Sequence, residues 1–224
     1  MKLKNFESYI NEANEEAPVN PKRSERVLTQ AQREHEESPE TNDDKSSNIM
    51  PAMVFTDVVG SSKLWSDDPI TMSQQLENHH ILIDSLAKKN KGWIVKTIGD
   101  AFMVYFEPSD KALFNALKFS KEAIIQETKY SIRVGVCSGN MEDKTYNIQN
   151  VNLKDFFGNA VNTSSRMESK VAEANGIAFT SVKPLSKNVI ANIQQQIGNV
   201  TTVPGEGLDL KGVKVDNAYK ISIK

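Results

Sequence analysis

The stretch WIVKTIGDAFMVYF, residues 93–106, decides the fold. Two runs rich in β-branched and aromatic side chains flank Gly99-Asp100, a dipeptide suited to a tight turn. Residues 93–98 and 101–106 are therefore read as neighbouring antiparallel strands joined by a hairpin. Upstream, PAMVFTD at 51–57 is a further apolar strand that ends on a carboxylate, Asp57, before the small residues Gly60, Ser61 and Ser62. Between these strands, Asp68 followed by Pro69 signals a helix start, and Met72, Leu76, Ile83 and Leu86 recur at helical spacing. Asn90, Lys91 and Gly92 close that helix.

Downstream, Leu113, Leu117, Phe119 and Ile124 predict a second amphipathic helix over about 109–127. SIRVGVCSG, 131–139, reads as a strand, and GNAVNTSSRMESKVAE, 158–173, as a third helix. GIAFTS, VTTV and AYKISI complete the strand set. This order of elements predicts an α+β sandwich, with helices packed on a mostly antiparallel sheet.

Composition divides the chain further. Residues 14–48 are polar and nearly without large apolar side chains, so they are read as a disordered acidic linker between a short leader, 1–13, and a domain over 49–224. Residues 1–48 hold seven Lys+Arg against eleven Asp+Glu. A net charge of −2 for 224 residues argues against a broad basic face for nucleic acid. No apolar run approaches a membrane span, and no signal-peptide core is present. The single cysteine, Cys137, excludes an internal disulfide and fits a reducing, cytoplasmic compartment; it reads as a small core residue. No receiver, membrane anchor or other regulatory module is visible, so control is expected from expression, the leader or a partner.

Asp57 at a strand end and Asp100 in the hairpin reach one rim if their strands are neighbours. Two carboxylates there repel unless a cation lies between them, and Mg²⁺ takes one or two carboxylates while phosphate and water fill its shell. The turn over Val59, Gly60, Ser61 and Ser62 offers backbone N–H groups at a helix start, an anion site. Metal and phosphate cradle together point to a nucleoside triphosphate. Either Asp taken alone is better explained as a turn former or cap, and the rest of the pattern decides. Lys96 precedes Asp100 by four residues, Asp155 lies in KDFFGNAVNTSSR, and Asn162 and Arg166 are four apart on one helical face.

With FTDVVGSS, WIVKTIGDAFMVYF, IRVGVCSG and DFFGNAVNTSSRM in that order, the sequence resembles the class III nucleotidyl cyclases, the adenylate and guanylate cyclase catalytic domain, over roughly residues 50–221. The resemblance implies a ferredoxin-like, palm-type sandwich. It assigns two Mg²⁺ or Mn²⁺ ions per site to Asp57, Asp100 and the Val58 backbone, ribose orientation to Asn162, and transition-state charge on the α-phosphate to Arg166. It also implies a homodimer with two shared sites, in which Lys96, Asp155, Asn162 and Arg166 of one chain complete Asp57 and Asp100 of the other. Lys211 or Lys214 in LDLKGVKV is the counterpart of a basic triphosphate contact. The segment NMEDKTYNIQNVNLK, 140–154, sits where many relatives carry a dimerisation arm; a plain polar loop is the other reading.

Lys96 only donates and ionised Asp155 only accepts, which matches adenine N1 and its 6-amino group and reverses guanine's order. ATP is thus the favoured substrate. Cytosine offers a similar edge, so a CTP cyclase stands as the alternative. His79 and His80 lack a second metal-ligand pair and read as a partly exposed helix pair. Trp65 and Trp93 read as packing residues, and Ser61 and Ser62 lack a Ser-His-Asp arrangement.

The leader MKLKNFESYINEA carries Leu3, Phe6 and Ile10 as a small apolar stripe. It resembles the capsid-targeting peptides of internal proteins in large tailed phages, cleaved after an aliphatic-any-Glu triplet, here Ile10-Asn11-Glu12. That implies a capsid or scaffold as docking partner, packaging in a phage capsid, and a cyclase fold serving as a passenger binding module. An ordinary frayed helix explains the same residues.

Overall fold

The computed structural model describes residues 49–203, 208–210 and 213–223. The leader, the linker and Lys211 lie outside the described residues. Strand β1 (Met50–Val58) is followed by a short helix α1 (Ser61–Asp67), helix α2 (Pro69–Lys89), strands β2 (Gly92–Ile98) and β3 (Ala101–Ser109), and helix α3 (Ala112–Gln126). Then come β4 (Ile132–Ser138), β5 (Glu142–Ile148), β6 (Val151–Phe157), helix α4 (Asn159–Arg166) with a π-helical continuation Met167–Val171, and β7 (Gly176–Ser181). Helix α5 (Lys187–Gln196) and strands β8 (Val200–Thr202), β9 (Leu208–Asp209), β10 (Lys214–Val215) and β11 (Ala218–Ser222) end the fold.

Among the described residues, seven strands join in one sheet in the order β2-β3-β1-β4-β7-β11-β8. All neighbours are antiparallel except β4 and β7, which run parallel. The α+β sandwich with a mostly antiparallel sheet is therefore what the chain forms. Among the described residues no helix is long and apolar enough to cross a membrane.

Both faces of the sheet are covered. On one face Ala52, Val54 and Val58 of β1 join Ile83 and Leu86 of α2 and Ala116, Leu117, Phe119 and Ala123 of α3. On the other, Met53 and Phe55 join Met103, Phe156 and Val161. The period-two alternation of β1 thus serves two cores, which explains its nearly continuous apolar run. Asp68 caps α2 by accepting the Thr71 N–H at 3.0 Å, with Pro69 in the first turn, as the Asp-Pro pair predicts.

Three expectations need correction. His79 is not partly exposed: it is 1% exposed, and its Nδ1 lies 2.6 Å from Glu127 Oε2, tying α2 to the loop after α3. Trp65 is exposed rather than packed in the core, whereas Trp93 does pack, against Tyr105 and Phe156. The third helix is interrupted, since the π-helical turn takes over at Met167. Helix α5 has no counterpart in the sequence reading, although Ser186 caps it by accepting the Val189 N–H.

Gly135 in β4 fixes how α4 crosses the sheet. A Cβ there would stand 2.2 Å from both Ser164 O and Glu168 N, backbone atoms that cannot rotate away. Gly135→Ala is expected to destabilise the fold by about 3 kcal/mol, read as a lower urea midpoint at unchanged slope.

Candidate functional site

The site grows from the end of β1. Asp57 pairs in register with Arg133 of β4, so the two side chains share the face that carries Met53 and Phe55. Arg133 Nη2 lies 2.5 Å from Asp57 Oδ2, and Arg133 Nε lies 3.1 Å from Glu168 Oε1. The second contact is close in distance but poorly aimed, because both atoms are buried without a satisfied hydrogen bond. Asp100 arrives from the β2–β3 turn, whose Gly99 has φ +64°. Its Oδ2 accepts the Val58 N–H at 3.2 Å, which brings the second acid to the residue beside Asp57.

The chain then leaves β1 through Val59 and Gly60. Val59 N–H donates to Ser131 O at 2.9 Å, and Gly60 takes φ +73° to start α1. No side chain caps that start; Lys63 and Leu64 amides bond to Gly60 O. Ser61 and Ser62 open the helix as expected. Among the described residues no group of three or more His, Cys, Asp or Glu side chains is arranged to hold a metal. Two carboxylates and a backbone carbonyl suit an ion whose remaining ligands are phosphate and water.

Lys96 and Asp155 form a second group. A bulge between Ile94 and Lys96 shifts the register of β2, so Ile94 faces Val104 while Lys96 pairs with Met103. That shift turns Lys96 to the face of Trp93, Phe156 and Met103. Asp155 comes from β6, where Phe156 stacks on Tyr105 at 4.1 Å between ring centroids and anchors the strand. Lys96 Nζ meets Asp155 Oδ2 at 2.6 Å.

Strands β5 and β6 form a hairpin over residues 142–157, where the sequence allowed an arm or a polar loop. Gln149 and Asn150 in its turn both have positive φ, as a tight hairpin turn requires. Tyr146 faces Leu153 and Ile148 faces Val151, and all four are exposed. Phe157, also exposed, meets Tyr146 edge-on, and Asp155 lies on the same face.

Asn162 is exposed on α4 and Arg166 follows one turn later, opposite the buried face of Ala160, Val161, Thr163 and Ser164. Neither side chain has a partner among the described residues, and neither joins Asp57 or Asp100. Lys214 lies in β10. A cavity of about 410 Å³, lined by Cys137, Thr163 and Thr180, sits toward the opposite end of the strands. Burial pushes the Cys137 thiol up to about 12, so it behaves as packing.

Arg133 and Glu168 are the groups that sequence reading missed. IRVGVCSG reads as an apolar strand, yet its one cation stands directly opposite Asp57.

The sequence profile of the adenylate and guanylate cyclase catalytic domain matches residues 44–208. An adenylate cyclase of Schizosaccharomyces pombe is 26% identical over 196 residues, which is 77% of this chain and 12% of that protein. An adenylate cyclase of Podospora anserina is 42% identical over 62 residues, 28% of this chain and 3% of that protein. The chain thus spans a small fraction of these relatives. Among solved structures, the guanylate cyclase domain of a Catenaria anguillulae protein in complex with GTP superposes with a TM-score of 0.62 at 22% identity, covering 79% of this chain and 98% of that one. The adenylyl cyclase CyaB of P. aeruginosa gives 0.59 at 20%, covering 78% and 94%. These structural likenesses speak to fold. The chain belongs to the adenylate and guanylate cyclase catalytic domain family.

Desolvation raises the Glu168 carboxyl to about 7, against the pull of Arg133. A carboxyl raised on folding binds more protons folded than unfolded, so its contribution falls as pH rises from the ordinary carboxylate range through about 7. Glu168→Gln is expected to lose less stability than the parent between pH 5.5 and 8, compared by urea midpoints.

Proposed function

We propose that the chain is a nucleotidyl cyclase converting ATP to 3′,5′-cyclic AMP and pyrophosphate by attack of the ribose 3′-hydroxyl on the α-phosphate. The observation that carries this reading is the Asp100 carboxylate, bonded to the Val58 amide and so held beside Asp57. Adjacent acids favour a divalent cation, and Val58 C=O is a third oxygen at the same rim. Two Mg²⁺ or Mn²⁺ ions, when bound, neutralise the triphosphate and make the 3′-hydroxyl a better nucleophile. The amides of Gly60, Ser61 and Ser62 at the uncapped start of α1 receive phosphate oxygens, with Val59 leading into the turn. Arg133 stands at the same rim, and phosphate oxygens offer its guanidinium acceptors in place of Asp57. Lys211 is a further triphosphate contact on this reading. No side-chain nucleophile is needed, because ring closure is intramolecular and depends on positioning.

Lys96 and Asp155, 2.6 Å apart, form a donor–acceptor pair for adenine N1 and its 6-amino group. Guanine reverses that order and leaves both groups unpaired, which costs about 10⁴ or more in selectivity where recognition rests on such bonds. With Mn²⁺ and the four nucleoside triphosphates in competition, the expected product is cyclic AMP. A predominantly cyclic GMP or cyclic CMP product refutes the assignment of these two residues. Absence of any cyclic product favours a passenger role for the fold.

The exposed apolar face of the β5–β6 hairpin and the unpartnered Asn162–Arg166 pair both support a homodimer with shared sites. Across the interface Asn162 orients the ribose, and Arg166 meets charge growing on the α-phosphate, a contribution of about 10²–10³ in rate. Asp57→Ala and Arg166→Ala chains are each expected to be inactive. Mixed and re-equilibrated, they should recover about one quarter of wild-type activity, since half the dimers are then mixed and each has one intact site. A mixture as inactive as its components rules out sharing.

A further inference from the structure

We infer that His80 is a positioning residue for the Asp100 turn, and that the adjacent His79 fixes the helix that presents it. The inference rests on the reading of Asp100 as a metal ligand. His80 Nε2 lies 3.1 Å from Gly99 O. A carbonyl oxygen only accepts, so Nε2 carries the hydrogen and the imidazole donates. The ring is also held edge-on to Phe102, with centroids 4.8 Å apart, and Phe102 is buried between Thr56 of β1 and Thr97 of β2.

The turn needs such a pin. Gly99 has φ +64°, and no atom lies within 4 Å of where a Cβ would stand, so the turn residue has nothing packed against that side. Glycine explores backbone conformations that other residues do not, and freedom at Gly99 passes directly to the Asp100 carboxylate. Among the described residues, two hydrogen bonds tie the turn to the rest of the chain. Asp100 Oδ2 accepts from the Val58 amide, and Gly99 O accepts from His80. A cation at Asp100 competes for the first of these, which leaves His80 as the tie that persists. Ligand groups must be held to within about 0.5 Å of their working position.

His79 supplies the fixed base. One residue earlier on α2, it turns inward, bonds Glu127 at 2.6 Å, and packs edge-on against both Phe102 and Tyr130. Two consecutive histidines about 100° apart on a helix thus have distinct tasks. One anchors the helix to the core, and the other reaches the turn.

The test uses the full chain and two substitutions. His80→Phe keeps a ring against Phe102 and removes the donor, whereas His80→Gln keeps an N–H donor of similar reach. Mn²⁺ binding is followed by electron paramagnetic resonance, with Asp100→Ala as the reference for loss of the ligand. His80→Phe is expected to weaken Mn²⁺ binding about 5- to 12-fold, the scale of one hydrogen bond, with the melting temperature lowered by no more than a few degrees. His80→Gln should stay within about threefold of wild type. Amide exchange across residues 98–101 should quicken in His80→Phe and not in His80→Gln. In turnover, half-saturating Mn²⁺ should rise in His80→Phe while kcat at saturating metal holds. Wild-type Mn²⁺ affinity and exchange in His80→Phe, or an equal loss in both variants, overturns the inference. If wild type binds no measurable Mn²⁺, turn exchange alone decides. Failure of wild type to cyclise any triphosphate overturns the cyclase reading and leaves the metal and exchange comparisons to judge His80. A wild-type-like His80→Phe in a chain that does cyclise removes His80 alone.

Discussion

A strand covered on both faces has room for charge only where the cover ends. Strand β1 lies between β3 and β4, with α2 and α3 on one face and α4 on the other, and its residues from Met50 to Val54 are all buried. Its carboxylate therefore falls at Asp57, the penultimate position, where the packing opens. The antiparallel register then does the rest: it sets Arg133 opposite Asp57, and the β2–β3 turn delivers Asp100 to the Val58 amide. Placing a carboxylate four residues earlier in β1, at the fully buried Met53, would bury an unpaired charge at a cost of several kcal/mol. The position of the acid is thus a consequence of sandwich architecture as well as of chemistry.

Two of the acids at the site are compensated by cations of the same chain. Arg133 neutralises Asp57, and Lys96 neutralises Asp155. These pairs are partly exposed, with side-chain exposures of 30% for both Arg133 and Asp57, so each stabilises the fold only modestly. Their value lies in exchangeability. A half-solvated pair can trade its partner for a ligand of the same charge without passing through an isolated buried ion. Glu168 differs, because it is nearly buried behind Arg133, 3.1 Å from its Nε but without a hydrogen bond to it, and desolvation favours its neutral form.

Much of this is legible in the sequence, for reasons that can be named. The hairpin at 93–106 declares itself through two β-rich runs around Gly99-Asp100, and Asp68-Pro69 marks α2 through capping chemistry. Lys96 and Asp155 are recognisable as a pair only through resemblance, since their meeting depends on a bulge at Val95 that no local pattern encodes. Arg133 is hidden because a single cation in an apolar strand looks like a strand end facing water; only the register opposite Asp57 gives it meaning. Glu168 is hidden because a Glu in an amphipathic helix reads as solvent-facing, whereas the close approach at Gly135 draws it inward. His79 and His80 look alike in sequence, and helix rotation alone separates them. The arm at 142–157 does alternate with period two, but interspersed Asp, Lys and Asn mask it.

On the proposed reading that arm joins recognition to assembly. Asp155 lies on the same hairpin face as Tyr146, Ile148, Val151, Leu153 and Phe157, an apolar surface left open in the single chain. Burying such side chains is favourable in proportion to the area removed from water, so a second copy of the chain has reason to cover them. Whatever covers them also withdraws water from around Lys96 and Asp155. Hydrogen bonds from that pair to the proposed purine edge would gain strength as the local dielectric falls, and the penalty for a mismatched base would grow equally. On the proposed reading, dimerisation therefore sharpens base selection at Asp155, near the end of the arm, before any partner side chain touches the nucleotide.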